Sequence, residues 1–134
     1  AEEKHVVLAL ENVWGKFLMS PLEFKQLLKE IDSDYVKAYF DVANILEYGF
    51  PQDWIRILAD DLICIHFKDY KQGCGAGGFC NPFDGSIDWH AVREALRDVR
   101  YDGYIVAEAI LPNVWEEAFI YELGKKMSYF IEEM

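Results

Sequence analysis

Four short apolar runs in this chain each end in a side chain able to bind a cation: VVLALE at Glu11, VKAYFD at Asp41, ICIH at His66 and YIVAE at Glu108. Each run has the length and apolar content of a strand buried on both faces, and the segments between the runs carry helical spacing. The pattern predicts β-α-β-α-β-α-β-α, an α/β chain whose strands lie parallel and in sequential order through right-handed crossovers. In such folds, ligands sit at the carboxyl ends of the strands. Three carboxylates and one imidazole gathered there form an oxygen-rich set with one nitrogen donor, suited to a hard or borderline divalent cation. Taken singly, each residue also reads as a helix cap or a hydrogen-bonded core group. All four strands ending in this way is what favours a shared site.

The strands are expected over residues 6–11, 36–41, 62–67 and 104–108. Ser20, Pro21 and Glu23 supply a capping serine, a proline in the first turn and a glutamate three residues on. Phe24, Leu27, Leu28 and Ile31 then share one helical face. A second helix is expected over residues 51–59. A third, capped by Asp88, presents Val92, Ala95, Leu96 and Val99, and Asn113 with Glu116 reads as a capping pair for a last helix running nearly to Met134. Four β/α units with helices on one side amount to half of a (β/α)8 TIM barrel, here residues 1–134 as a single region.

Such a half leaves two bare edges and an uncovered inner face. The chain begins at Ala1 and enters a strand almost at once. It is therefore expected to be the carboxyl-terminal half of a longer barrel, or a half that pairs with its missing counterpart or with a second copy. A symmetric dimer is expected to bury the stripe Phe119, Leu123, Met127, Phe130 and Ile131.

The formal charge of −11 and the lack of any basic stretch beyond Lys125-Lys126 disfavour nucleic acid and anionic membranes as partners. With no leader and no apolar stretch long enough to span a bilayer, the cytoplasm is the expected compartment. Three cysteines suit reduced thiols rather than a disulfide framework, and Cys74 and Cys80, flanking GCGAGGFC, read as loop thiols rather than metal ligands. His5 and His90 read as structural or solvated. Alternation along the strand puts Lys68 on the same face as His66, where it can meet a substrate phosphate or hydroxyl or pair with the acidic cluster. Asn44 can bond a polyol or hold a turn. Trp14, close to Glu11, can stack on a sugar, while Trp54, Trp89 and Trp115 read as packing residues. In FDGSIDW, Gly85 reads as serving the backbone.

The segments LALENVW, FDVANIL, IHFKDYK, FDGSIDW and YDGYIVAEAI together resemble the xylose-isomerase-like (β/α)8-barrel enzymes, in particular their sugar-phosphate isomerase and epimerase branch. The likeness is to L-ribulose-5-phosphate (L-xylulose-5-phosphate) 3-epimerases and to proteins called hexulose-6-phosphate isomerase. It implies that Glu11, Asp41, His66 and Glu108 are metal ligands, His66 opening a His-x-Lys-Asp pattern, and that Glu11 and Glu108 are also the catalytic pair. The implied reaction inverts C3 of a ketose or ketose phosphate through an enediolate. Alternatives are aldose–ketose or hydroxypyruvate-type isomerisation, or a noncatalytic half-barrel that assembles as a dimer. Manganese suits this donor set best, with magnesium, cobalt and zinc also open. The loop GCGAGGFCNP matches no signature of the family, and the acidic charge with one candidate ligand histidine argues against the related endonuclease branch.

Overall fold

A computed structural model describes residues 1–134. The strands are β1 (Leu8–Glu11), β2 (Val36–Asp41), β3 (Leu62–Phe67), the two-residue β4 (Asp69–Tyr70) and β5 (Phe79–Cys80), and β6 (Tyr104–Ala107). β1, β2, β3 and β6 form one all-parallel sheet in that order, as the repeated pattern predicts. β4 and β5 pair antiparallel within the glycine-rich segment, a hairpin too short to leave a periodic signal. The helices are α1 (Pro21–Ile31), α2 (Pro51–Leu58), α3 (Trp89–Asp98) and α4 (Glu116–Glu132).

Local chemistry explains most of these boundaries. The Ser20 hydroxyl accepts the Leu22 N–H at 3.2 Å and Pro21 opens α1. Asp88 accepts the Ala91 N–H at 3.0 Å to start α3. Leu10, Ala38, Phe40, Ile65, Phe67 and Ile105 turn one sheet face towards the helices, where Phe24, Trp54, Ile55, Leu58, Val92 and Leu96 complete the core. Trp54 stacks on Phe40 with ring centroids 5.4 Å apart. Tyr39, Cys64, His66, Tyr104 and Val106 occupy the opposite face, which no helix covers; Tyr104 is 79% exposed. A register irregularity between Ala38 and Tyr39 sets Tyr39 against Cys64 and Asp41 against His66.

Several expectations need correction. β1 begins at Leu8, not residue 6, because β2 offers pairing only from Tyr35 onward; Val6 instead bonds back to Ala1, and Val6 and Val7 are exposed. Ile31 is exposed at the end of α1, past the reach of α2. α4 starts at Trp115 in a left-handed conformation without a side-chain cap, so Asn113 and Glu116 form no capping pair. Trp115 is 82% exposed and lies outside the hydrophobic core, unlike Trp54 in the core and Trp89 at its margin. The expected dimer stripe is largely used within the chain. Phe130 packs on Phe67, Phe83 and Trp89, Met127 lies against the core and Leu123 is buried, leaving only Ile131 of that set exposed. No helix is long and apolar enough to cross a membrane.

Trp54 is 1% exposed and bridges α1, α2 and β2 through Phe24 and Phe40. Trp54→Ala is expected to lower unfolding free energy by about 4 kcal/mol, measured by urea denaturation.

Candidate metal centre

The parallel arrangement brings the four strand endings together. One donor atom from each of Glu11, Asp41, His66 and Glu108 lies within 4.8 Å of all the others. His66 Nδ1 stands 3.0 Å from Glu11 Oε1, 3.5 Å from Glu108 Oε2 and 3.9 Å from Asp41 Oδ2. Neighbouring register explains the convergence: Asp41 lies opposite His66, and the Glu108 N–H continues the ladder to Phe67 C=O at 2.9 Å.

Asp41 is the buried member of the set, with no solvent exposure. Its Oδ1 accepts the N–H groups of Ala43 and Asn44, both at 2.8 Å, which folds the chain sharply at the end of β2. Its Oδ2 accepts no hydrogen bond; the Lys68 ammonium lies 3.2 Å away as a charge contact without hydrogen-bonding alignment. Burial pushes the carboxyl up to about 6 even though Lys68 and the two N–H groups favour its charged form. A buried carboxylate oxygen that accepts no aligned hydrogen bond, has only the Lys68 ammonium beside it and lies among further carboxylates is a place a cation would fill.

The donor chemistry agrees. A single ion bonded to oxygen at about 2.1–2.4 Å holds opposite ligands about 4–5 Å apart, the spread seen here. Three carboxylates against one ammonium leave two negative charges, which a divalent ion neutralises. None of the three free cysteines belongs to the group, so the set carries no sulfur and suits manganese or magnesium better than a thiolate-type zinc site.

Lys68 spans the cluster, 3.2 Å from Asp41 Oδ2 and 3.2 Å from Glu108 Oε2, and lies over the Phe79 ring at 4.7 Å. Of its two readings, pairing with the acidic group is the one its contacts display. Trp14 packs edge-on against Phe79 and Tyr70 at 5.1 and 5.7 Å, placing an indole in the wall next to Lys68. Asn44 is buried and donates to the Asn12 C=O at 2.8 Å, holding the loop after β2. His5 sits beside the Tyr35 hydroxyl and His90 beside Arg93, both exposed and outside the cluster.

Three neighbours of the site went unforeseen. The Tyr39 ring lies 4.3 Å from the imidazole of His66; burial, with the Cys64 thiol beside it, pushes its phenol well above the usual range. Asp69, fully buried, accepts Tyr70 N–H at 2.7 Å, Ile87 N–H at 3.1 Å and the Trp89 indole N–H at 2.8 Å. It fixes the chain immediately after Lys68, and Gly85 serves the backbone because a Cβ there would strike the Asp69 carboxylate. Asn12 bonds both main-chain groups of Asp41. Asn12 and Asp69 each directly follow a predicted functional residue, a signal that alternation obscures because it turns them away from the site.

A family profile described as Xylose isomerase-like TIM barrel matches residues 1–126. Inosose dehydratase of Lacticaseibacillus casei is 28% identical over 142 aligned residues, which cover 94% of this chain and 48% of that protein. Among solved structures, a D-tagatose 3-epimerase-like protein superposes with a TM-score of 0.78 at 21% identity, covering 98% of this chain and 49% of the other. L-ribulose 3-epimerase superposes with a TM-score of 0.66 at 18% identity, covering 98% and 51%. The chain spans about half the length of the curated relatives it matches.

Asp69→Ala strands two buried main-chain donors and the half-buried Trp89 indole N–H, and is expected to cost about 3 kcal/mol of stability in urea denaturation. Manganese at about a hundredfold excess over its dissociation constant is expected to stabilise the chain by about 2.7 kcal/mol, reversibly with EDTA. An unchanged midpoint in His66→Ala with and without manganese is the matching control.

Proposed function

Because the chain belongs to the xylose isomerase-like TIM barrel family, we propose that it is the carboxyl-terminal half of a metal-dependent enzyme that removes a proton next to the carbonyl of a polyhydroxy ketone. The observation that supports this reading is the convergence of Glu11, Asp41, His66 and Glu108, with Asp41 Oδ2 buried and free of hydrogen bonds. These four residues would hold the cation. When bound, a divalent ion supplies a Lewis acid that polarises the carbonyl and acidifies the adjacent C–H.

The chain's own groups account for the proton movement. Glu11 and Glu108 come from strands on either side of the β2–β3 pair and flank His66. One carboxylate takes the proton from one face of the carbon and the other returns a proton to the opposite face, which inverts the centre. Lys68, 3.2 Å from Glu108 Oε2, is placed to meet a substrate hydroxyl or phosphate. Trp14 with Phe79 offers an apolar wall for the sugar's carbon face. Asn44 holds the loop after β2 through its bond to the Asn12 C=O.

The outcome we propose is C3 epimerisation of a ketose or ketose phosphate, in line with the names of the D-tagatose 3-epimerase-like and L-ribulose 3-epimerase structures. The curated relative named inosose dehydratase favours a second outcome from the same first step, in which the neighbouring carbon loses its hydroxyl instead of the proton returning.

The test uses the full-length protein with manganese and a panel of ketoses, ketose phosphates and inososes in D2O, followed by NMR. Epimerisation predicts deuterium at C3 with an inverted partner sugar; dehydration predicts an unsaturated or keto product with loss of water. Glu11→Gln and Glu108→Gln are each expected to lower turnover by about a hundredfold or more. Absence of deuterium uptake in every substrate by a manganese-loaded protein would end the reading.

A further inference from the structure

We propose that Asn12 is a positioning residue for the metal centre, holding Glu11 and Asp41 at their working separation without touching the ion itself. The inference deepens the metal reading and rests on it. β1 and β2 pair in register from Leu8 with Val36 to Glu11 with Tyr39, and there β1 stops. Asp41, at the end of β2, faces β1 with a buried N–H and C=O that no backbone rung can reach. The Asn12 side chain supplies that rung: Oδ1 accepts the Asp41 N–H at 2.7 Å and Nδ2 donates to the Asp41 C=O at 2.9 Å. Its own C=O accepts from Asn44 Nδ2 at 2.8 Å.

The residue that follows Glu11 is thereby tied to Asp41 through its side chain and to the loop after β2 through its main chain. Asn12 is 2% exposed and its partners are buried, so water does not compete for these bonds. The Glu11 backbone is thereby held against β2 by the strand register on one side and by the Asn12 side chain on the other, so a primary amide links the two metal-compatible carboxylates. Chemistry selects that amide. It is the smallest side chain that carries its acceptor and its donor on separate atoms, as the separated N–H and C=O of a single residue require. Aspartate keeps the acceptor, loses the donor and adds a charge close to Asp41.

The test compares the chain with Asn12→Ala, Asn12→Asp and a remote core truncation, Leu28→Ala, matched for loss of stability. Amide hydrogen exchange without metal and calorimetric manganese titration are the two readouts. In Asn12→Ala the Asp41 amide is expected to exchange about tenfold faster while that of Phe40 is unchanged. Manganese is expected to bind about 10–100-fold more weakly, while Leu28→Ala keeps the parent affinity. Should Asn12→Ala unfold, Asn44→Ala removes only the bond to the Asn12 carbonyl and is expected to weaken manganese in the same direction.

Parent-like affinity in the folded Asn12 variant overturns the proposal and leaves the metal reading intact. An equal loss in Leu28→Ala also overturns it, reducing Asn12 to general stability. A parent with a protected Asp41 amide and no manganese binding overturns the metal reading, and the positioning role falls with it.

Discussion

A carboxylate removed from water needs compensation at both oxygens, and the arrangement around Asp41 follows from that requirement. Oδ1 is satisfied by the N–H groups of Ala43 and Asn44, which obliges the chain to turn at once after β2. Oδ2 cannot be served by the same turn and points into the space where Glu11, His66 and Glu108 arrive. Lys68 lends it a positive charge, but burial still pushes Asp41 up to about 6. The site is therefore a local concentration of negative charge held in place by the fold, the electrostatic setting in which a divalent ion is stabilised by more than any neutral ligand.

Lys68 is in turn positioned by a second buried carboxylate with a different task. Asp69 spends both oxygens on donors from Tyr70, Ile87 and Trp89, so it serves architecture and not chemistry. Its neighbour Tyr70 donates to Glu47 and lies near the Gly75 carbonyl, docking the glycine-rich segment over the carboxyl ends of the strands. That hydrogen bond holds the Glu47 carboxyl low and pushes the Tyr70 phenol up to about 12. The segment carries Phe79 to Lys68 and Trp14, which joins the cation cluster to an aromatic wall. Two adjacent residues, one aimed at the site and one away from it, show how the two-residue period of an extended chain separates function from support.

The helices cover one face of the sheet only, and the site opens on the other. Tyr104 and Val106 are exposed on that face, as the inner wall of a barrel would be without the units opposite. A cleft of about 460 Å3 lies at the far end of the strands, among Lys25, Lys29, Lys37 and Asp61. There Lys25 bonds the Leu58 carbonyl and pairs with Asp61 at 2.7 Å. Those contacts brace α1 against the start of β3, consistent with the division of labour in barrels, where the carboxyl ends of strands carry chemistry and the amino ends stability.

By itself the sequence determined the order and direction of the four main strands, the helices between them, and the four side chains that end the strands. It could do so because apolar periodicity and cap chemistry are local, and because parallel crossovers leave one chain order. Tertiary structure alone decided what those side chains meet. The sequence left Lys68 and Asn44 with two readings each, and packing resolved the contacts of both, setting Lys68 against Asp41 and Glu108 and committing Asn44 to Asn12. Asn12 and Tyr39 gave no periodic signal because their partners lie far away in the chain, and Asp69 gave none because two of its three partners, Ile87 and Trp89, do too. The exposure of Trp115 and the burial of the α4 stripe are not legible in the sequence for the same reason: hydrophobicity shows that a residue seeks burial, but only the placement of α4 against Phe67, Phe83 and Trp89 shows which residues find it.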